Sequence, residues 1–93
     1  MAPRTLPPLS KLKVFEAAAR LQSFKLAAAE LNLTQSAISH QIASLERYLG
    51  IALFYRLPGR VELSEKGSLY FPVIKDALER IALTTDLICE RQS

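Results

Sequence analysis

Between Ala27 and Gly50 the chain reads AAAELNLTQSAISHQIASLERYLG. Two helix-forming stretches meet there across a break of only Asn32-Leu33-Thr34. Asn32 suits the left-handed position that ends a helix, and Thr34 suits the N-cap of the next. The pattern therefore predicts a short Ala-rich helix from about Phe24 to Leu31, a tight turn, and a second helix from Gln35 to Leu49 closed by Gly50. At about 100° per residue, Ile38, Ile42, Leu45 and Leu49 fall on one stripe of that second helix and face a core. Gln35, Ser36, Ser39, His40 and Ala43 fall on another face, which carries no large apolar side chain and no carboxylate. That face lies in the N-terminal half, where free backbone N–H groups and the helix dipole favour anions.

The flanking segments extend the pattern. Residues 1–8 are Pro-rich and read as extended. Ser10 is a candidate N-cap for a first helix, with Leu9 and Val14 spaced as a hydrophobic staple and Leu12, Phe15, Ala18 and Ala19 as its apolar set to about Leu21. Gln22-Ser23 reads as a turn. After Gly50 the sequence IALFYR reads as a short strand, LPGR as a turn and VELS as a second strand. Ser64 caps a long helix running to about Arg91, roughly 40 Å. Pro72 lies inside it and removes one backbone hydrogen bond, which predicts a bend. Gly67, Phe71, Ile74, Leu78, Ile81, Thr85 and Ile88 repeat at alternating spacings of four and three, a heptad seam that a second copy of the helix would cover.

Size and charge bound the reading. A chain of 93 residues builds one small domain with a modest core. No apolar run is long enough to cross a bilayer, and MAPRTLPPLSKLK lacks the apolar centre of a secretory signal. A cytoplasmic protein is expected. Cys89 is the single cysteine, so no internal disulfide forms, and its expected role is that of a small apolar residue near the helix seam. Residues 1–60 carry eight Lys or Arg against three Glu, whereas residues 61–93 carry four basic and six acidic residues. The basic first part suits a polyanionic partner.

Two helices joined by a short turn, the second presenting small polar side chains near its start, form a helix-turn-helix. In a major groove Gln bonds adenine bidentately, Ser bonds any base, and His donates to guanine. The LPGR hairpin adds a wing whose Arg56 and Arg60 suit a minor groove or phosphates. Two other classes of function compete. A protein-interaction module of the same fold would tend to place apolar residues where Gln35, Ser36, Ser39 and His40 stand. An enzyme would need a nucleophile–base pair, a metal site or a phosphate loop, and the sequence assembles none of these. No cofactor and no metal ligand set is expected.

The order FEAAARLQSFKLAAAELNLTQSAISHQIASLERYLGIALFYR, followed by VELSEKG, resembles the N-terminal DNA-binding region of LysR-type transcriptional regulators. The opening LPPLSKLKVFEAAAR is most similar to the subgroup of glycine-cleavage, tryptophan-synthase and β-lactamase regulators. The resemblance implies a mainly α fold, a winged helix-turn-helix with a small β-hairpin and a long C-terminal helix. It divides the chain into an extended segment (1–8), the DNA-binding domain (9–64, helix-turn-helix about 24–43) and a linker and dimerisation helix (65–93). It implies base reading by Gln35, Ser36, Ser39 and His40, and phosphate contacts from Ser23, Lys25, Thr34 and Gln41. Wing contacts fall on Arg56, Gly59 and Arg60, and the dimer seam on Phe71, Ile74, Leu78, Ile81, Thr85 and Ile88. The expected partners are a double-stranded DNA operator, in the form of an interrupted inverted repeat, and a second copy of the chain, with tetramers possible in a longer protein. An effector-binding domain normally follows in this family and is absent from these 93 residues, so a small-molecule effector is expected only where such a domain exists. The sequence departs from the family at Ser36, where many relatives have Pro, at Lys25, where many have Thr, and at Gly59, where Arg is common and Arg60 follows one place later.

Overall fold

A computed structural model describes residues 6–90. The elements run α1 (Leu9–Leu21), α2 (Phe24–Leu31), α3 (Gln35–Leu49), β1 (Phe54–Leu57), β2 (Arg60–Leu63) and α4 (Glu65–Ile88). Short polar residues set most of the helix starts. Ser23, Thr34 and Ser64 each adopt extended backbone, and their hydroxyls accept from the N–H groups of Leu26, Ala37 and Gly67. Each bond satisfies one of the donors that a helix start leaves open. Asn32 (φ 56°) and Gly50 (φ 72°) end α2 and α3 in the left-handed region.

The first helix departs from expectation. Pro8, not Ser10, precedes it, with no side-chain cap. The Pro8 carbonyl accepts from Lys11 and Leu12 instead. Leu9 is therefore inside the helix and 51% exposed, so no staple of an apolar residue ahead of the cap arises. The last helix ends at Ile88, short of the expected Arg91, because Cys89 caps it and Glu90 turns into the left-handed region (φ 53°). Arg91 and most of the extended segment, residues 1–5, lie outside the described residues.

The core forms where α1, α2 and α3 converge with the base of α4 and the hairpin. Phe15, Ala18, Ala27, Ile38, Leu45 and Leu53 are fully buried, and Ile42 is nearly so. Alanines at positions 17–19, 27 and 28 are all buried, so small side chains line much of the core. Phe15 packs against Phe54, Tyr70 and Phe71 with ring centres 5.6, 5.6 and 6.4 Å away. It thus joins α1 to the hairpin and to α4. Burial raises the Tyr70 hydroxyl pKa above its ordinary value, with a smaller contribution from Tyr48. On the surface Arg20 of α1 bonds Glu16, at 2.8 Å, and Glu30 of α2. That hydrogen bond holds the Glu30 carboxyl below its usual range.

The hairpin is shorter than the sequence suggests. Ile51, Ala52 and Leu53 stay outside the strand, and the Glu46 carboxylate reaches across from α3 to accept from the N–H groups of Leu53 (2.7 Å) and Phe54 (3.3 Å). The Leu53 N–H is thereby committed to a side chain and not to the facing strand. The register pairs Phe54 with Leu63 and Leu57 with Arg60, leaving Pro58-Gly59 as a two-residue tip. Gly59 has φ 76°, a conformation that would strain an arginine. Val61 N–H donates to the Gln22 carbonyl at 3.2 Å, which ties the hairpin to the turn between α1 and α2.

The helix α4 is continuous through Pro72. The expected seam divides along it. Gly67 and Ile74 are buried and Phe71 and Leu78 pack partly on the core of their own domain. Ile74, at 7% exposure, packs inward and offers little surface to a partner. Ile81 and Ile88 are exposed and Thr85 is half-buried.

Candidate nucleic-acid interface

The helix α3 presents Gln35, Ser36, Ser39, His40 and Ala43 along one shallow, open strip. The caps explain why these side chains begin where they do. Thr34 Oγ1 accepts from Ala37 N–H at 3.0 Å, which starts the helix at Gln35 and puts Gln35 and Ser36 in its first turn. The Ser36 hydroxyl stands 3.3 Å from Thr34 Oγ1. Ile38, Ile42 and Leu45 are buried on the opposite side of α3 and set its rotation. The first turns of α2 and α3 contain no acidic residue.

Beside this strip is a notch between the start of α2, the start of α3 and the wing. Ser23, Lys25, Gln35, Arg56, Gly59 and Arg60 are among its lining residues. The Val61–Gln22 hydrogen bond brings the wing over α2, so Lys25, Arg56 and Arg60 surround one opening although 35 positions separate the first from the last. Ser23 and Thr34 each accept one bond as caps and keep an O–H to donate. A group that accepts several hydrogen bonds and carries negative charge matches such a lining.

The expected site residues do not all converge. Gln35 lies on both the strip and the notch. Gln41 stands apart, because its amide oxygen is buried and meets no donor. Arg56 does not extend from the wing tip. Its guanidinium lies over the Phe24 ring, 5.0 Å from the centroid, and donates to Ser39 Oγ at 3.3 Å. Arg60 is exposed and pairs with Glu62 at 3.1 Å. Sequence reasoning missed Phe24 as a platform and Glu46 as the clamp of the hairpin. The aromatic next to Ser23 was a possible signal for the first, whereas the second depends on tertiary approach. No helix is long and apolar enough to cross a membrane, and no metal-binding cluster is present, among the described residues.

Three helices with the turn at Asn32–Thr34, a hairpin following the third, and a polar face on that third helix define a winged helix-turn-helix. The family model described as bacterial regulatory helix-turn-helix protein, lysR family, matches residues 9–68, and the chain belongs to that family. It is 52% identical over 75 residues to the HTH-type transcriptional activator AmpR of Pseudomonas aeruginosa, which covers 81% of this chain and 25% of that protein. It is 49% identical over 82 residues to the glycine cleavage system transcriptional activator of Escherichia coli, covering 88% and 27%. The chain thus spans about a quarter of the length of these relatives, which are regulators of transcription by name. Among solved structures, the BenM_DBD/benA site 1 DNA complex superposes with a TM-score of 0.83 at 28% identity, over 90% of this chain and 94% of that one. The CbnR_DBD–DNA complex gives 0.79 at 27%, over 90% and 97%.

The wing carries a first prediction. Arg60→Ala is expected to weaken binding to every DNA sequence alike and to lower the slope of log K against log salt by about one phosphate equivalent. Titrations at four salt concentrations measure it. An unchanged slope means that Arg60 stays with Glu62 and touches no phosphate.

Proposed function

We propose that this chain is the DNA-reading part of a transcriptional regulator. It binds double-stranded DNA sequence-specifically as a dimer, in the cytoplasm. The helix α3 enters the major groove, and Gln35, Ser36, Ser39 and His40 meet base edges there. Lys25, Ser23, Thr34 and Arg60 bond phosphates. The observation that carries this reading is the carboxylate-free polar strip on α3 placed beside a notch ringed by Lys25, Arg56 and Arg60. Phosphate contacts supply affinity and register, and base contacts supply the sequence preference. The kinship with regulators whose domains have been solved with DNA supports the same reading.

The dimer is proposed to form along the exposed side of α4. Ile81 and Ile88 are 52% and 74% exposed there and share one stripe, which favours association with a second copy. The paired recognition helices then face two half-sites related by a two-fold axis, one or more helical turns apart. Any response to a small molecule would belong to a further domain.

Gln35→Ala tests the reading directly. It is expected to cost about 1–3 kcal/mol of binding to the preferred sequence and almost nothing on random DNA. Gel shifts on both DNAs, at one salt concentration, measure the difference. Equal losses on the two would assign Gln35 to the backbone and remove it from base reading.

A further inference from the structure

Arg56 belongs to the wing by sequence but to α3 by contact. Its guanidinium rests on the Phe24 ring and its Nη1 donates to Ser39 Oγ at 3.3 Å. Phe24 is 7% exposed and packs edge-on against Phe54 with centroids 5.6 Å apart. The platform beneath the guanidinium is therefore part of the core. Arg60, the other wing arginine, is turned to Glu62 and does not compete for Ser39.

A guanidinium has donors and no acceptor, whereas a serine hydroxyl has one donor and two lone pairs. Left alone, Ser39 can donate to a base or accept from one. With Arg56 donating to Oγ, one of the two lone pairs is taken and the other lies next to a positive charge that disfavours a second donor. An approaching amino group meets an oxygen already bonded and a cation behind it. The O–H stays free. Guanine presents N7 and O6 and thymine presents O4 as acceptors in the major groove, adenine presents an N7 acceptor beside an N6 amino donor, and cytosine presents only an N4 amino donor.

We propose that Arg56 is a positioning residue that biases Ser39 toward donating, so that the base facing Ser39 is guanine or thymine in preference to cytosine. The inference rests on the major-groove reading proposed above. It gives Arg56 an effect confined to one base pair, unlike a phosphate contact, which acts on all sequences alike.

The test is selection from a randomised duplex library by the whole chain and four variants: Ser39→Ala, Arg56→Met, Arg56→Lys, and Ser39→Ala with Arg56→Met. Methionine keeps an apolar stem over Phe24 and removes every donor, while lysine returns one donor and the charge. Melting curves establish that each variant is folded. Ser39→Ala is expected to flatten the preference at one position and thereby identify it. Wild type should favour guanine or thymine over cytosine there by about tenfold, the size of one good contact. Arg56→Met should admit cytosine and reduce that ratio to about twofold, Arg56→Lys should restore part of it, and other positions should keep their preferences. In the double variant the Arg56 change should add nothing at that position. A uniform loss of binding in Arg56→Met, with the ratio intact, overturns the coupling and leaves DNA reading in place. So does a selected sequence that Ser39→Ala does not alter. If wild type selects no sequence at all, the major-groove reading falls and the inference falls with it.

Discussion

Gly67→Ala is expected to destabilise the domain by about 3 kcal/mol, at the upper end of ordinary overpacking. A Cβ on Gly67 would stand 2.2 Å from the Leu53 carbonyl oxygen and 3.1 Å from both the Leu53 carbonyl carbon and Leu63 Cδ2. The first of these atoms is backbone, so no side-chain rotation relieves the clash. The Leu53 carbonyl also accepts from Ser64 N–H at 2.8 Å, the Leu53 side chain is fully buried, and its N–H is held by Glu46. Retreat of that carbonyl would pull on the first turn of α4 and on the strand start together. Alanine gains about 1 kcal/mol of helix propensity over glycine, which is too little to offset the overlap. For a domain of this size the melting temperature should fall by roughly 10–20 °C. Ser68→Ala, at an exposed position of the same turn, should move it little. Thermal melts of the two variants decide the matter. A Gly67→Ala melt close to that of wild type would mean that α4 can slide away from Leu53 at small cost.

Gly67 also marks the limit of what the sequence makes legible. Helix ends could be read because their chemistry is local. Thr34 and Ser64 use their own hydroxyls within three residues, and Asn32 and Gly50 tolerate the left-handed backbone by themselves, although Ser10 was misread as a cap where Pro8 stands. The buried stripe of α3 was legible for the same reason, since Ile38, Ile42 and Leu45 share a face by helix geometry alone. Distant partners decided the rest. The Leu53 N–H, just ahead of the strand, meets Glu46, seven residues earlier. The position of the Arg56 guanidinium depends on Phe24, which lies on α2. Heptad spacing placed Gly67 with the seam, but spacing cannot report that a carbonyl lies where its Cβ would be. Within the interface, the polar face of α3 was readable as one surface, while the folding back of Arg56 and the turning in of Gln41 were not.

The same spacing explains the second large effect. A repeat of 3.5 residues drifts about 20° per heptad around a helix of 3.6 residues per turn. From Gly67 to Ile88 the series therefore walks about 60° around α4. It begins on the face packed against its own domain, at Gly67 and Ile74, and surfaces at Ile81 and Ile88. Leu78 is still partly packed on the core, so a charge there would test folding as much as association. Replacing Ile81 and Ile88 together with glutamate is expected to give a folded monomer. Burial of one such side chain is worth roughly 1.5–3 kcal/mol, and two subunits lose this twice over while gaining like charges across the interface. Both residues are more than half exposed in the single chain, at 52% and 74%, so its own core should not register the change. Binding to a half-site should be unaltered, because α3 is untouched. Binding to the full inverted repeat should fall by about 100-fold or more, since linkage of two reading heads multiplies affinity by 10²–10⁴. Sedimentation measures the association, and titrations on half-sites and full sites measure the loss. A variant that still sediments as a dimer and keeps its affinity for the full repeat would place the dimer contact elsewhere than on the distal half of α4.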